Sequence, residues 1–76
     1  MNIKNIEKYN KELYKILENK IKEKQIKRIE LCEKIGIVSS TLSEQLNRLK
    51  NGDAIMTSTL FRIMLALDID PSELLK

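Results

Sequence analysis

The sequence predicts an all-α domain of five helices. Three observations carry this. Apolar residues recur at steps of three and four along the chain, the spacing of one face of a helix. The two glycines and the single proline fall only between such stretches. No run alternates apolar and polar residues with the period of a half-buried strand. The 76 residues make one domain, spanning 1–76. A chain this short buries only roughly 60% of its unfolded surface, so its stability margin is thin. Its composition, 42% apolar and 33% charged, suits a compact helical domain and argues against intrinsic disorder.

The first helix is expected from Asn2 to Lys24. Ile3, Ile6, Tyr9, Leu13, Ile16, Leu17 and Ile21 form one broad apolar stripe. Lys4, Lys8, Lys11, Lys15 and Lys22 gather on the opposite face, and Lys20 lies on the apolar side, where its stem can snorkel past the core edge. The lysine face reads as solvated surface, as a phosphate contact, or as a membrane-surface contact; the absence of Trp and Phe from the apolar stripe argues against the last.

The second helix runs from about Lys27 to Ile35, with Ile29, Leu31, Cys32 and Ile35 at helical spacing. Gly36 is its expected left-handed cap. Helix three follows to about Lys50, capped by Ser39 or Ser40, with Thr41-x-x-Glu44 as a second capping choice. Leu42, Leu46 and Leu49 give it an apolar side, and Asn51-Gly52 ends it. Thr57 or Ser58 caps a fourth helix running to about Leu67; it is apolar nearly all round and so expected to be buried on more than one face. Asp70-Pro71-Ser72-Glu73 starts a fifth, fastened by Ile69, Leu74 and Leu75.

Charge is unevenly placed. Residues 1–30 hold nine Lys/Arg and five Glu, whereas residues 31–76 hold five basic and six acidic side chains. The chain has no His and one Cys, which excludes a Cys/His zinc site and an internal disulfide. Cys32, at an apolar helix position, reads as a small buried hydrophobe. No cofactor or metal is expected. With no His and no Gly-rich phosphate loop, an enzyme is the disfavoured class, and Asp68 and Asp70 are better explained as capping groups. No membrane-spanning or signal stretch is expected, so the default location is cytoplasmic.

Residues 28–49 read as two helices joined by a turn at Gly36-Ile37-Val38, a helix-turn-helix. Around it the chain resembles the Cro/repressor-type, or xenobiotic-response-element, helix-turn-helix family. Ile26 resembles the apolar residue opening the motif. Leu31-Cys32 matches the usual Leu-Ala pair, and Glu33 to Ile37 the run ending in Gly-Val. Ser40-Thr41-Leu42-Ser43 is similar to the opening of many recognition helices. Thr59-Leu60, Ile63 and Leu67 match the fourth helix, and Ile69-Asp70 with Glu73-Leu74-Leu75 the usual ending. The similarity covers Leu13 to Leu75. It implies a five-helix lambda-repressor-like domain whose N-terminal helix is extended by residues 1–12. Four departures stand out: Val38 where a Ser or Thr cap is common, three extra residues between Gly36 and Leu60, the extension itself, and Arg28 where many members carry a phosphate-gripping Gln.

The motif's geometry places helix three in the major groove of double-stranded DNA, with helix two across the backbone. The expected base-contacting residues are Ser39, Ser40, Thr41, Ser43, Glu44 and Asn47, and those reading positions include neither Arg nor Gln. Lys27, Arg28, Arg48 and Lys50 are the expected phosphate contacts. So few strong base contacts point to a homodimer, with Ile3, Ile6 and Tyr9 meeting Phe61 and Leu65 within the chain or across a two-fold axis. The competing reading is a protein-interaction module or antitoxin-like partner, with a toxin or anti-repressor as its ligand, on a fold with weak or no DNA binding.

Overall fold

The computed structural model describes residues 3–70 and 72, with the side chains of Ile3 and Lys4 outside that set. Among the described residues there are four helices and no strand: α1 (Ile3–Lys24), α2 (Arg28–Ile35), α3 (Ser39–Lys50) and α4 (Thr57–Ala66). The count is four, not the five expected, and the body of the expected fifth helix lies outside the described residues. The Ser72 amide donates to Asp70 Oδ1 at 3.0 Å, as it would to a helix-capping carboxylate, and this bond holds the Asp70 carboxyl below its ordinary pKa.

All four helices close in the same way. At each end one residue takes positive φ: Gln25 at 54°, Gly36 at 74°, Gly52 at 89° and Asp68 at 58°. The amide after it returns to the carbonyl five residues back: Ile26 to Ile21 (3.2 Å), Ile37 to Cys32 (3.1 Å), Asp53 to Arg48 (2.8 Å) and Ile69 to Met64 (2.8 Å). This is the Schellman closure, which satisfies carbonyls that the helix leaves unpaired. Ile26, Ile37 and Ile69, just past three of these ends, pack on or in the core.

The core is one cluster. Leu17 and Ile21 come from α1, Leu31, Cys32 and Ile35 from α2, Leu42, Leu46 and Leu49 from α3, and Ile63 and Met64 from α4, with Leu67 and Ile69 behind it. The α1 helix packs along α3, and α2 packs on both α3 and α4. The 22 residues of α1 span about 33 Å at 1.5 Å each, close to the molecule's longest dimension of 36 Å.

Several expectations need correcting. The apolar stripe of α1 is not one buried face. Leu17 and Ile21 are buried and Leu13 is half-buried, while Ile6, Tyr9 and Ile16 are exposed, because the rest of the chain covers the side of α1 that carries Asn10, Tyr14, Leu17 and Ile21, and these three are turned away from it. Ile29 is exposed, since it sits at the edge of the buried side of α2 and lines an open cleft with Cys32, Glu33 and Val38. The α4 helix is buried on one face, with Ile63 and Met64 inside and Phe61 and Leu65 outside. Helix N-termini also differ. Val38 and Met56, not the serines and threonines, occupy the N-cap positions of α3 and α4, and neither makes a side-chain cap bond. After the left-handed Gly36, Ile37 turns onto the core, so the helix resumes at Ser39 and the hydroxyls fall inside the first turn. In α4 the Met56 carbonyl accepts from the Leu60 amide, making Thr57 the first helical residue. Lys20 is partly buried and its ammonium meets Glu23 at 3.6 Å.

Two contacts fix the long helix in place. Asn10 Nδ2 donates to the Gly52 carbonyl at 3.0 Å. Lys24 donates to Asp68 Oδ2 at 2.9 Å, joining the ends of α1 and α4. That hydrogen bond, then the Lys24 charge and a smaller contribution from Lys34, hold the Asp68 carboxyl below its ordinary pKa.

The two glycines should respond differently to alanine. A Cβ on Gly36 meets nothing within 4 Å, so Gly36→Ala costs only the left-handed backbone, about 1–2 kcal/mol. In a domain this small each kcal/mol lowers Tm by about 4–8 °C. At Gly52 the new atom would lie 3.2 Å from Glu7 Cβ, so Gly52→Ala should lower Tm further and loosen α1 from α3. Thermal unfolding followed by circular dichroism measures both. The Asp68 pair predicts a pH dependence. A carboxyl whose pKa is lower when folded stabilises above its unfolded pKa, about 3.9, and that stability is lost as pH falls through and below that value. Lys24→Met should therefore flatten the fall of Tm on acidification through that range.

Candidate nucleic-acid interface

The α3 helix has two sides. Leu42, Leu46 and Leu49 are within 1% of complete burial. Their repeat forces the remaining positions outward. Of the six residues expected to read bases, Ser39, Ser40, Ser43, Glu44 and Asn47 are exposed and Thr41 is half-buried on the flank. Val38 offers no side-chain acceptor to the first amides of α3, which leaves them for an outside acceptor such as a phosphate oxygen. Lys27, in the N-cap position of α2, likewise makes no cap bond.

Of the expected phosphate contacts, Arg28 and Lys50 border this face directly. Tyr14, Arg28, Ser43, Leu46, Asn47 and Lys50 line a cleft of about 160 Å³ where α1, the start of α2 and the outer side of α3 meet. Two cations thus flank two of the candidate reading residues. Arg28 is not free: its Nη2 donates to Glu18 Oε1 at 3.1 Å. Glu18, two turns before the end of α1, both orients the guanidinium and neutralises it. Arg48 lies at the other edge of α3, where its Nε donates to the Ala54 carbonyl at 3.4 Å and holds the loop between α3 and α4. Lys27 is exposed.

Sequence reasoning passed over Gln45. It is half-buried and lines a second cleft with Arg48, Ala54, Ile55 and Met56. Its amide is suited to adenine and the neighbouring guanidinium to guanine or phosphate. The signal was available in the helical wheel, where Gln45 falls at the border of the leucine side.

Of the apolar surface residues expected to pair, Ile6 is 43% and Tyr9 59% exposed, and Phe61 is 44% and Leu65 64% exposed. They do not cover one another within the chain; the Ile3 side chain lies outside the described residues. No described helix is long and apolar enough to cross a membrane. Among the described residues no group of His, Cys, Asp or Glu is arranged to hold a metal.

A short helix, a left-handed turn and a second helix with a buried leucine side and an exposed polar side define a helix-turn-helix protein. A family model for the Cro/C1-type helix-turn-helix DNA-binding domain matches residues 16–76, and the chain belongs to that family. Comparison with curated proteins and with solved structures gave no match. The whole N-terminal extension, including Asn10 and the first lysines of α1, precedes the matched region.

The pairing of Arg28 predicts the effect of releasing it. Glu18→Gln removes a carboxylate from the interface and should tighten binding to duplex DNA at low salt by about 2–5-fold, the scale of an exposed ion pair. Fluorescence anisotropy with labelled duplex checks this; weaker binding would show that Glu18 serves Arg28 by positioning it.

Proposed function

We propose that the chain is a sequence-specific, double-stranded-DNA-binding transcriptional regulator that works without catalysis: a small cytoplasmic repressor of a phage, plasmid or other mobile element, acting as a homodimer. The observation that carries this reading is the division of α3, with leucines wholly buried on one side and Ser40, Ser43, Glu44 and Asn47 exposed on the other. In this reading α3 enters the major groove. Ser39, Ser40, Thr41, Ser43, Glu44 and Asn47 face the bases, and Lys27, Arg28, Arg48 and Lys50 hold the backbone on either side. Hydroxyls, one carboxylate and one amide give modest discrimination, so two copies on half-sites about one helical turn apart supply the rest.

Support for the dimer comes from the apolar residues left uncovered, Ile6 and Tyr9 on α1 and Phe61 and Leu65 on α4. The same residues favour the second reading, in which they bind a protein partner such as a toxin or an anti-repressor and DNA binding is weak.

Selection of bound sequences from random duplex DNA separates the two. The regulator reading expects a two-fold symmetric site whose preference is relaxed by Asn47→Ala. Failure to enrich any site at low salt would move the assignment to the interaction module.

A further inference from the structure

We propose that the lysine face of α1 is a second grip on the phosphodiester backbone of the duplex that α3 reads. This inference rests on the DNA-binding reading and extends it to a helix that lies largely before the family-matched region.

The placement is specific. A groove of about 490 Å³ runs between α1 and the end of α3, and Lys8, Lys11, Lys15 and Lys50 line it. Tyr14 and Lys50 border this groove and also the cleft that holds Arg28, Ser43 and Asn47. The α1 lysines are therefore continuous with the reading face. From Lys8 to Lys15 the helix rises about 10 Å, enough to follow about three phosphates at ~3.4 Å of duplex axis each. The lysines are also held in register, because Asn10 and Gly52 pin this part of α1 to the end of α3.

The charge distribution points the same way. Residues 31–76, which include the reading helix, carry one more acidic than basic side chain, so the positive field must come from residues 1–30. Glu7 and Glu12 share the groove. Glu12 holds Lys15 only at 3.6 Å, with both side chains more than half exposed, a contact that a phosphate can replace. A lipid surface fits less well. The exposed apolar residues Ile6 and Tyr9 lie on the side of α1 away from these lysines, so a membrane taking up the apolar side would leave the lysines in water.

The test is the salt dependence of binding by the full chain to a duplex recovered by selection and to an unrelated duplex. Lys8→Gln/Lys11→Gln/Lys15→Gln should make the slope of log K against log salt shallower by about 2–3 per bound chain, at roughly 0.9 per phosphate contact. The affinity lost between about 50 and 200 mM salt should shrink by roughly 15–60-fold. The ratio of affinities for the two duplexes should stay as it was, because backbone contacts carry no sequence information. Lys8→Arg/Lys11→Arg/Lys15→Arg should keep the wild-type slope. A wild-type slope in the Gln variant, on a duplex that the wild-type chain binds, overturns the inference and leaves the DNA-binding reading intact. The same slope accompanied by loss of binding to phosphatidylserine vesicles overturns it in favour of a membrane. Failure of the wild-type chain to bind any duplex overturns both.

Discussion

A left-handed residue at every helix end, followed by an amide that turns back to the carbonyl five residues earlier, is the constraint on which this small fold depends. An eight-residue helix such as α2 is too short to persist alone in water. It persists because its last carbonyls are satisfied at Gly36 and because the same turn presses Ile37 onto the core. The Gly36 turn also sets where α3 begins, and therefore which of its residues face outward. With no side-chain cap at the N-termini of α2, α3 and α4, this part of the chain is punctuated at its helix C-termini.

Two of these four residues are not glycine, and this decides how much could be read from the sequence. Gly36 and Gly52 announce a left-handed conformation because other residues resist it. Gln25 and Asp68 adopt it without any such mark, so their turns show only in the folded chain. Conversely, the Ser39-Ser40-Thr41 and Thr57-Ser58-Thr59 clusters look like caps, yet lie inside the first helical turn because Ile37 and Ile55 must first reach the core. Periodicity located the helices well. It overestimated burial of α1 and α4, since a stripe shows that a face is apolar and not that something in the same chain covers it.

The candidate interface was legible to a similar degree. The spacing of Leu42, Leu46 and Leu49 was enough to identify the outward residues of α3. It could not show that Arg28 is held by Glu18, a pairing across helices, or that Gln45 lines a cleft with Arg48. Nor could it place the α1 lysines beside Lys50, because that neighbourhood exists only once Gly52 lets the two backbones approach.

The fit of α1 against Gly52 has a consequence for how this chain can change over time. The contacts of Glu7, Asn10 and Lys11 with that turn lock the rotational phase of the helix as well as its position. Inserting or deleting one residue between Asn10 and Leu17 would swing everything upstream by about 100° about the helix axis. The lysines would leave the groove, and Gly52 would face a different side chain. Point substitutions along the outer surface carry no such penalty. Away from Glu7, Asn10 and the groove lysines the extension is thus free to drift in composition, but from Glu7 to Leu17 it is nearly frozen in length, with changes of whole turns as the main escape.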